Sequence, residues 1–486
     1  MVKMDSNNLN DMPNEEFRKF GHELIDWVAD YLENVKDKPV LAQITPGEVK
    51  LKLPDTPPFK GEPMGNIIDD LNDIIMPGMT HWNHPRFMAY FNSTASGPGI
   101  LAELISAAFN INGMNWKSCP AATELEEVVL HWLRKMIKLP ENYWGIIYEG
   151  GSASNMHAIA AARENIENLQ LRQKGMTGRN DIGRLRLYLT EHTHSSVAKG
   201  AINVGVGLEG IRKIPVDENY RMDVTELKKA IEQDRIEGWL PFCVVATVGT
   251  TSTTSIDPIE NIADICEKEN LWLHVDASHA GTAAIVPELN YIINGCDRAD
   301  SFVMNPHKWM FMPIDISVFY TRKPEILKRA FSLVAEYLKT TEDSEVINYM
   351  DYGITLGRRF RSLKLWIVIR YFGVEGIIKR LREHIRLGKL FEKLIDENPL
   401  FEKLAPVPLS TVCFRAIPMG KNEDELNEFN KSLMDTVNST GRVFLSHTIL
   451  NGKFTVRMVV SGIRTTESDV LEVWQLLNNR CREMIK

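Results

Sequence analysis

An alternation between short apolar runs and helix-like segments is the feature that most constrains how this chain can fold. Between about residues 90 and 360, the runs RLYLT, FCVVATVG and LWLHVDA are interleaved with helical patterns such as VTELKKAIEQDRIEG and PIENIADICEKEN. Strands that alternate with helices form βαβ units, so the pattern predicts an α/β fold with a mostly parallel central sheet and helices on both faces. Ligands bind at the carboxyl ends of strands in such sheets, and we therefore expect functional residues in the loops that follow strands.

Three regions divide the chain. Residues 1–85 carry two amphipathic helix patterns separated by a proline-rich stretch. They hold too little apolar surface to fold alone, so we expect this N-terminal helical segment to pack on another surface. Residues 86–360 form a predicted large domain. Residues 361–486 lead from helices into STVCFRAIP, KFTVRMVVS and a last helix, which predicts a small C-terminal α+β domain.

Composition and charge exclude several classes of function. The net charge of −8 argues against nucleic acid or an anionic membrane surface as the main partner. No stretch approaches the roughly 18 uninterrupted apolar residues of a membrane helix, and the polar N-terminal stretch does not predict a signal peptide. The six cysteines are scattered without a C-x-x-C pair, which predicts reduced thiols in a cytoplasmic protein.

Two charged residues at the ends of predicted strands suggest a chemical site. SFVMNPHKW places Lys308 after an apolar run, where an amine is tolerated as a neutral group or a Schiff base and is made more nucleophilic by desolvation. LWLHVDASHAG places Asp276 at a strand end, where a protonated pyridine nitrogen would be a suitable partner. Taken alone, Lys308 could be a surface lysine and Asp276 a helix cap. Their presence on consecutive strands favours a shared site.

A helix start and a polar loop are candidates for binding an anion. In YEGGSASNMHAIAAAREN, the amides of Ser152, Ala153 and Ser154, with the serine hydroxyls, could hold a phosphate. The alternative is a serine N-cap without a ligand, which is favoured if this motif is considered alone. Thr251, in ATVGTTSTTSID, is a further candidate ligand, or part of an ordinary polar loop.

The sequence around two other motifs decides which ligand each of them could bind. His192 and His194 follow a predicted strand, but no Asp, Glu or Cys cluster completes a metal site, so no metal is predicted. A flat ring stacked on a flat cofactor explains His194 better, with a core or capping histidine as the alternative. GVGLEG at 205–210 spells a dinucleotide fingerprint but precedes a strand instead of following one, which disfavours a nicotinamide cofactor.

These residues, in this order, resemble the group II pyridoxal-phosphate decarboxylases, and within them the aromatic-L-amino-acid decarboxylases. The resemblance runs from about residue 14 to the end, and its most specific parts are HWNHPRFMAYF, SCPAATELE, GGSAS, THSSV, HVDA, NPHKW and LGRRFRSLKLW. It implies pyridoxal-phosphate enzyme fold type I and a homodimer with shared active sites, with residues 1–85 at the dimer interface. The implied reaction converts aromatic L-amino acids (tryptophan, 5-hydroxytryptophan, DOPA, tyrosine and phenylalanine class) into arylalkylamines and CO2.

The resemblance also implies a role for each matched residue. Lys308 would carry pyridoxal 5'-phosphate (PLP) as a Schiff base, Asp276 would pair with the pyridine nitrogen, and His194 would stack on the ring. Tyr337 would return a proton to the α-carbon. The remaining cofactor contacts would come from Ser152, Ala153, Ser154, Thr251, Asn305 and His307. The substrate pocket would be lined by Trp82, Ser93, Met114 and Gly357, with Gly357 leaving room for an indole ring.

The sequence departs from the family pattern at two positions. Met114 stands where relatives often have Phe, and His279 replaces the tyrosine of VDAAYAG. Neither change removes a reacting group, but both put the preferred aromatic ring in doubt.

Three other functions compete with decarboxylation. In aromatic acetaldehyde synthases, the tyrosine corresponding to Tyr337 is typically phenylalanine or the stacking histidine is replaced, whereas this chain has both Tyr337 and His194. A non-catalytic protein would be expected to lack Lys308 or Tyr337. An aminotransferase would usually recruit a small-domain arginine to clamp the substrate carboxylate, and the candidates are Arg415, Arg442, Arg457 and Arg464.

Overall fold

The computed structural model describes residues 11–166, 169–333, 341–343 and 345–486. Its helices are α1 Asn14–Asn34, α2 Glu48–Lys52, α3 Met64–Asp70, α4 Gly97–Phe109, α5 Pro120–Met136, α6 Gly151–Glu164, α7 Leu171–Lys174, α8 Ser195–Asn203, α9 Val224–Ile236, α10 Ile259–Glu269, α11 Pro306–Trp309, α12 Pro324–Phe331, α13 Arg361–Asp396, α14 Glu423–Ser439 and α15 Glu467–Ile485. Its strands are β1 Trp144–Tyr148, β2 Arg184–Thr190, β3 Ile211–Ile214, β4 Trp239–Thr247, β5 Trp272–Asp276, β6 Ser301–Met304, β7 Ser317–Thr321, β8 Phe401–Lys403, β9 Thr411–Ala416, β10 Ser446–Leu450 and β11 Lys453–Val459.

The larger sheet of the described residues has seven strands in the order β1-β7-β6-β5-β4-β2-β3. Strands β3, β2, β4, β5 and β6 run parallel, while β7 pairs antiparallel with both β6 and β1. This confirms the predicted α/β fold with a mostly parallel sheet. Strands β1 and β7 were not predicted from the sequence, and β7 returns along β6 without a long crossover helix between them.

Both faces of this sheet are buried under helices, as predicted. Alternate residues of β4 point to opposite sides, with Val244 in one apolar core and Val245 in the other. Helices α5, α9, α10 and the first part of α13 contribute to the core around Val244. Helices α6, α8 and α12 contribute to the core around Val245. The carboxyl ends of the central strands are therefore held in place from both sides.

The C-terminal region forms a second sheet with the order β10-β11-β9-β8, which is antiparallel throughout. Its apolar core is closed by α14, α15 and the later turns of α13. Met88 belongs to this core, and its amide donates to the Phe444 carbonyl at 3.0 Å. Helix α13 thus contributes side chains to both cores and links the two sheets.

Two features of the remaining chain bear on the earlier expectations. The GVGLEG motif lies between α8 and β3, where Gly205 and Gly207 adopt positive φ in a turn, so it does not open a helix. No helix in the part of the chain that the structure describes is long and apolar enough to cross a membrane.

The close approach of α13 to Ser410, the residue before β9, gives a test of this packing. A Cβ added at Gly388 would lie 2.7 Å from the Cα of Ser410, a backbone atom that cannot swing away. Alanine normally favours a helix over glycine by about 1 kcal/mol, but overpacking a core costs about 1–3 kcal/mol. We expect Gly388→Ala to lower the free energy of unfolding, measured by denaturant titration.

Gly376→Ala in the same helix is the matched control. The nearest atom to an added Cβ there is the flexible Arg380 Nη1 at 3.3 Å, so this variant should be as stable as the original chain or more so. Equal stability of the two variants would contradict the close approach of α13 to Ser410.

Candidate active site

A cavity of about 590 Å³ opens at the carboxyl ends of β4 and β5, beside the first turns of α6, α8 and α11. Its position follows from the parallel sheet, because strand ends and helix starts meet at this edge. The structure brings eight of the predicted cofactor residues to its wall: Ser152, Ala153, His194, Thr251, Asp276, Asn305, His307 and Lys308.

Asp276 is a nearly fully buried carboxylate at the last position of β5. Its Oδ1 accepts from the backbone amide of Ser278 at 3.0 Å, and its Oδ2 accepts from Asn155 Nδ2 at 2.9 Å. Burial alone raises the pKa of Asp276, but the Lys308 charge and these hydrogen bonds outweigh it, so the pKa lies below its ordinary value. Asp276 is thus held as an anion facing the cavity.

Lys308 lies in the single turn of α11, directly after β6, and is half-buried. Burial lowers the pKa of its amine, and the Asp276 charge opposes this shift only in part. Its Nζ lies 5.4 Å from the centroid of the Phe91 ring. Within the described residues Lys308 forms no ion pair with Asp276, so both side chains face the cavity with their reactive atoms apart.

The start of α6 presents free backbone amides to the cavity. Gly150 caps the helix, and Gly151, Ser152 and Ala153 line the cavity at its first turn. Such amides, together with the helix dipole, favour a phosphate. Ser154 differs from the prediction, because its amide donates to the Gly150 carbonyl at 3.0 Å and its hydroxyl lies 2.7 Å from Ser317 Oγ. The candidate phosphate-binding amides are therefore those of Gly151–Ala153, one residue closer to the amino terminus than the predicted Ser152–Ser154.

The absence of a side chain at Gly151 allows Asn305 to approach the start of α6. A Cβ at this position would lie 2.6 Å from Asn305 Nδ2, so only glycine lets the Asn305 amide approach the helix start. Asn305 is itself buried, and its Oδ1 has no hydrogen-bond partner within the described ranges. The hydroxyl of Thr247, at the end of β4, also lies buried in the cavity wall without a described partner. Orphaned polar atoms of this kind are expected where a polar ligand completes the site.

His194 caps α8 and faces the cavity with a defined orientation. Its Nδ1 accepts from the Ser196 amide at 3.2 Å and lies 2.8 Å from Ser196 Oγ. Burial lowers the pKa of His194, and the Asp276 charge offsets this only in part. The ring is therefore neutral near pH 7 with its proton on Nε2. Nδ1 of the neighbouring cavity residue His307 lies 2.6 Å from the Ile316 carbonyl, and burial lowers the pKa of His307 to about 4.

His279 is a functional candidate for which the sequence suggested no role. It is buried in the cavity wall between the rings of Phe91 and Trp309, with centroid distances of 3.9 and 4.6 Å and both pairs nearly parallel. Burial lowers the pKa of His279 well below its ordinary value. Neither ring nitrogen has a partner in the described part of the chain. The only sequence signal was its departure from the family's VDAAYAG pattern.

The predicted substrate-pocket residues lie outside the wall of this cavity. Trp82 is partly exposed and stacks on Phe87 at 4.3 Å. Ser93 is half-buried, two residues beyond Phe91.

Gly357 and Met114 lie on neighbouring segments. Gly357 lines a smaller cavity of about 180 Å³ that shares Glu149 with the main one. The carbonyl of Met114 accepts from the amide of Met350, whose neighbour Tyr349 lines this second cavity. Tyr337, the predicted proton donor, lies outside the described residues.

The four candidate clamping arginines have other partners. Arg415 pairs with Glu402 and Glu423, and Arg442 with Glu472. Arg464 donates to the Ala95 carbonyl. Arg457 is buried and donates to the carbonyls of Thr251 and Ser252 at 2.6 and 2.7 Å, so it orders the Thr251 loop.

The residues of this cavity fit PLP. The amides of Gly151–Ala153 suit a phosphate, the buried anion of Asp276 suits a protonated ring nitrogen, and the amine of Lys308 suits an aldehyde. The unpartnered Asn305 Oδ1 and Thr247 Oγ1 supply further polar contacts.

Comparisons with known proteins agree with this chemistry. The family model described as "Pyridoxal-dependent decarboxylase conserved domain" matches residues 46–417. The chain is 39% identical to tyrosine decarboxylase 2 of Arabidopsis thaliana over 98% of its length and 88% of that protein. It is 38% identical to phenylacetaldehyde synthase of Arabidopsis thaliana, with 98% of both chains covered.

A solved structure extends the similarity to the whole fold. A crystal structure of Oryza sativa TDC with PLP and tryptamine matches with a TM-score of 0.94 and 33% identity, covering 99% of this chain and 100% of that one. These matches confirm the family and the cofactor inferred from the sequence motifs. The chain belongs to the pyridoxal-dependent decarboxylase family, and it is a carboxy-lyase that uses PLP.

Proposed function

We propose that this enzyme decarboxylates aromatic L-amino acids and releases the corresponding arylalkylamines. The observation that carries the proposal is one cavity in which the Lys308 amine, the ionised Asp276 and the free amides of α6 face each other. In this proposal Lys308 holds PLP covalently, Asp276 keeps its ring nitrogen protonated, and Gly151–Ala153 with Asn305 hold its phosphate. When bound, PLP withdraws the electron pair left on the α-carbon as CO2 departs.

The remaining residues orient groups and move a proton. His194, neutral and fixed by Ser196, offers a flat face that covers one side of the site. Thr251, whose loop Arg457 orders, lies where it can contact the substrate. Tyr337 returns a proton to the α-carbon, and general acid catalysis of this kind is typically worth about 10²–10⁴-fold in rate.

An aromatic substrate is supported by the composition of the wall and by the relatives. Phe91 and His279 present stacked flat rings beside Lys308. The named relatives include a tyrosine decarboxylase and a TDC structure that holds tryptamine. Trp82, Ser93, Met114 and Gly357 remain proposed contacts of the ring. An added Cβ at Gly357 would have no atom closer than 3.9 Å, so this position leaves space for a bulky ring.

Aldehyde synthesis is the second candidate, because phenylacetaldehyde synthases are about as similar to this chain as the decarboxylases are. Decarboxylation is favoured because Tyr337 is present at the position where the synthases typically carry phenylalanine. Measuring CO2, amine and hydrogen peroxide from a panel of aromatic amino acids tests the choice. A decarboxylase releases amine in step with CO2 and little peroxide.

We also propose that the enzyme is a cytoplasmic homodimer whose subunits share their active sites. Helix α1 is 21 residues long and buries none of them, and Phe17 within it is 64% exposed. Helix α4 exposes Leu101, Leu104 and Phe109 by about half each. Apolar helix faces of this extent are covered by a partner in most proteins, and a second copy of this chain is the proposed one. The cysteines are all free thiols, which supports a reducing compartment.

The attachment residue can be identified chemically. Borohydride reduction of the PLP-loaded enzyme followed by peptide mass mapping should find the cofactor on Lys308, because its lowered pKa makes it the nucleophilic amine. Lys364, which is also buried but paired with Glu103, should carry none. Lys308→Ala should abolish turnover while the far-ultraviolet circular dichroism is retained. A label on another lysine would refute the assignment.

The product ratio tests Tyr337. Tyr337→Phe removes the proposed proton donor, so the carbanion survives long enough to react with oxygen. We expect product to shift from amine toward aldehyde, ammonia and hydrogen peroxide, quantified against CO2 released. Tyr291→Phe, at an exposed position outside the cavity wall, should leave the ratio unchanged. If Tyr337→Phe also leaves it unchanged, another group reprotonates the α-carbon.

The proposed dimer interface can be tested with a single charge. Leu104→Arg places a cation in the exposed apolar face of α4, and we expect at least a 10-fold weaker dimer by sedimentation velocity. Ile236→Arg, at the end of α9 and 82% exposed, is the matched control and should dimerise normally. Unchanged dimerisation of Leu104→Arg would remove α4 from the interface.

A further inference from the structure

A buried hydrogen-bonded chain lies beneath the cavity floor. Trp272 Nε1 donates to Ser301 Oγ at 2.9 Å, and Ser301 Oγ lies 2.8 Å from His274 Nδ1. His274 Nε2 lies 2.9 Å from Asn155 Oδ1, and Asn155 Nδ2 reaches Asp276 Oδ2 at 2.9 Å. The ring of Trp272 and the other four side chains are almost completely buried.

The chain also branches at Asn155 toward a second cavity residue. Asn155 Nδ2 donates to Ser196 Oγ at 2.9 Å, and Ser196 Oγ lies 2.8 Å from His194 Nδ1. One amide group therefore contacts Asp276 directly and His194 through a single hydroxyl. Both residues face the cavity, whereas Asn155 and His274 are not part of its wall.

The indole end of the chain is consistent with a single direction of donation. An indole N–H can only donate, so Ser301 Oγ accepts from Trp272, and its own proton remains available for His274 Nδ1. Burial lowers the pKa of His274 to about 4, so the ring is neutral at pH 7 and its remaining proton is on Nε2. That proton is donated to Asn155 Oδ1.

The Asp276 end of the chain fixes this direction. The Asp276 carboxylate can only accept, so the Asn155 NH2 group must face it and Oδ1 must face His274. The second Nδ2 proton goes to Ser196 Oγ, whose own proton is then free for His194 Nδ1. The Ser196 backbone amide also points at Nδ1. A proton on Nδ1 would meet these two donors, so the Nε2–H form of His194 is imposed.

We propose that Asn155, oriented by His274, is the positioning residue that keeps Asp276 ionised and His194 in its Nε2–H form, and so sets the affinity of this site for a pyridinium ring. The inference rests on the proposed roles of Asp276 and His194. Asn155 is not part of the cavity wall, and it acts only through Asp276 and His194, which are.

The other charged and titratable groups around Asp276 come from three elements. Lys308 approaches from α11, His274 from β5 itself, and His194 from the start of α8. Both histidines are neutral at pH 7, so Lys308 is the charged group among these three. The hydrogen bond from Asn155 therefore stabilises the carboxylate together with the Lys308 charge and the Ser278 amide.

The test uses pyridoxine 5'-phosphate as probe, because it keeps the ring nitrogen and phosphate of PLP but lacks the aldehyde that reacts with Lys308. Its dissociation constant for the apoenzyme is measured by tryptophan fluorescence between pH 5 and 8. Asn155→Leu keeps the side-chain shape and removes both donors. We expect roughly 10- to 100-fold weaker binding at pH 7, the range for losing a hydrogen bond to a charged group.

The pH profile separates this role from a merely structural one. An Asp276 that has lost the Asn155 donor has a raised pKa, and binding that needs the carboxylate is lost as pH falls through that pKa. Binding by Asn155→Leu should therefore fail at a higher pH than binding by the original enzyme. Asn430→Leu is the matched control: Asn430 is equally buried and bonds through both amide atoms, but in the small-domain core. It should keep the original affinity and profile.

Ser301→Ala provides a milder variant that tests the relay itself. It removes the donor to His274 Nδ1 and frees that ring to change tautomer, so it should weaken binding by a smaller factor. In the Asn155→Leu background, Ser301→Ala should have no further effect, because the connection to Asp276 is already broken.

Three results would overturn the inference. The first is an Asn155→Leu enzyme that folds and binds the probe with the original affinity and pH profile. The second is a Ser301→Ala effect that appears in full in the Asn155→Leu background. The third is failure of the original enzyme to bind the probe or to take up PLP, which would overturn the proposed function as well.

Discussion

The site depends on one costly interaction, the burial of the Asp276 carboxylate at the end of β5. An ionised carboxylate out of water is unfavourable by several kcal/mol unless its oxygens are hydrogen-bonded and an opposite charge is near. Here both oxygens accept hydrogen bonds, and Lys308 lies in the turn that follows the next strand of the sheet. The surrounding architecture supplies these compensations: β6 delivers the lysine, α6 the asparagine, and the turn after β5 the Ser278 amide.

The same burial connects the chemistry to the parallel sheet. Neighbouring parallel strands end at one edge, so Asp276 at the end of β5 and Lys308 just after β6 are brought together although a crossover separates them in the chain. This is why their proximity could be predicted from the sequence: each follows an apolar run, and the runs are consecutive. The phosphate-binding amides could be predicted only approximately, because the first amide without an intrahelical partner depends on the residue at which α6 begins. Gly150 proved to be its cap, which excluded Ser154.

Other parts of the site could not be predicted, because their residues form no recognisable pattern in the sequence. Asn155 and His274 occupy ordinary positions of a helix and a strand, and their pairing across 119 residues depends on tertiary packing. His279 was noticed only as a departure, and its stacking between Phe91 and Trp309 could not be anticipated from spacing. Strands β1 and β7 were missed because their antiparallel pairing does not follow the strand–helix alternation that revealed the others. The chain is similar to decarboxylases and to aldehyde synthases alike, so the fold alone does not distinguish their products.

The orientation of the chain beneath Asp276 has a consequence for proton traffic. A hydrogen-bonded chain conducts protons only if each member can reverse after a proton has passed. The Trp272 indole N–H cannot accept a proton. The hydrogen-bonded chain that begins there therefore has a fixed direction and cannot conduct protons. The chain from Trp272 to Asp276 therefore offers no route by which a proton could reach the Asp276 carboxylate through the sheet.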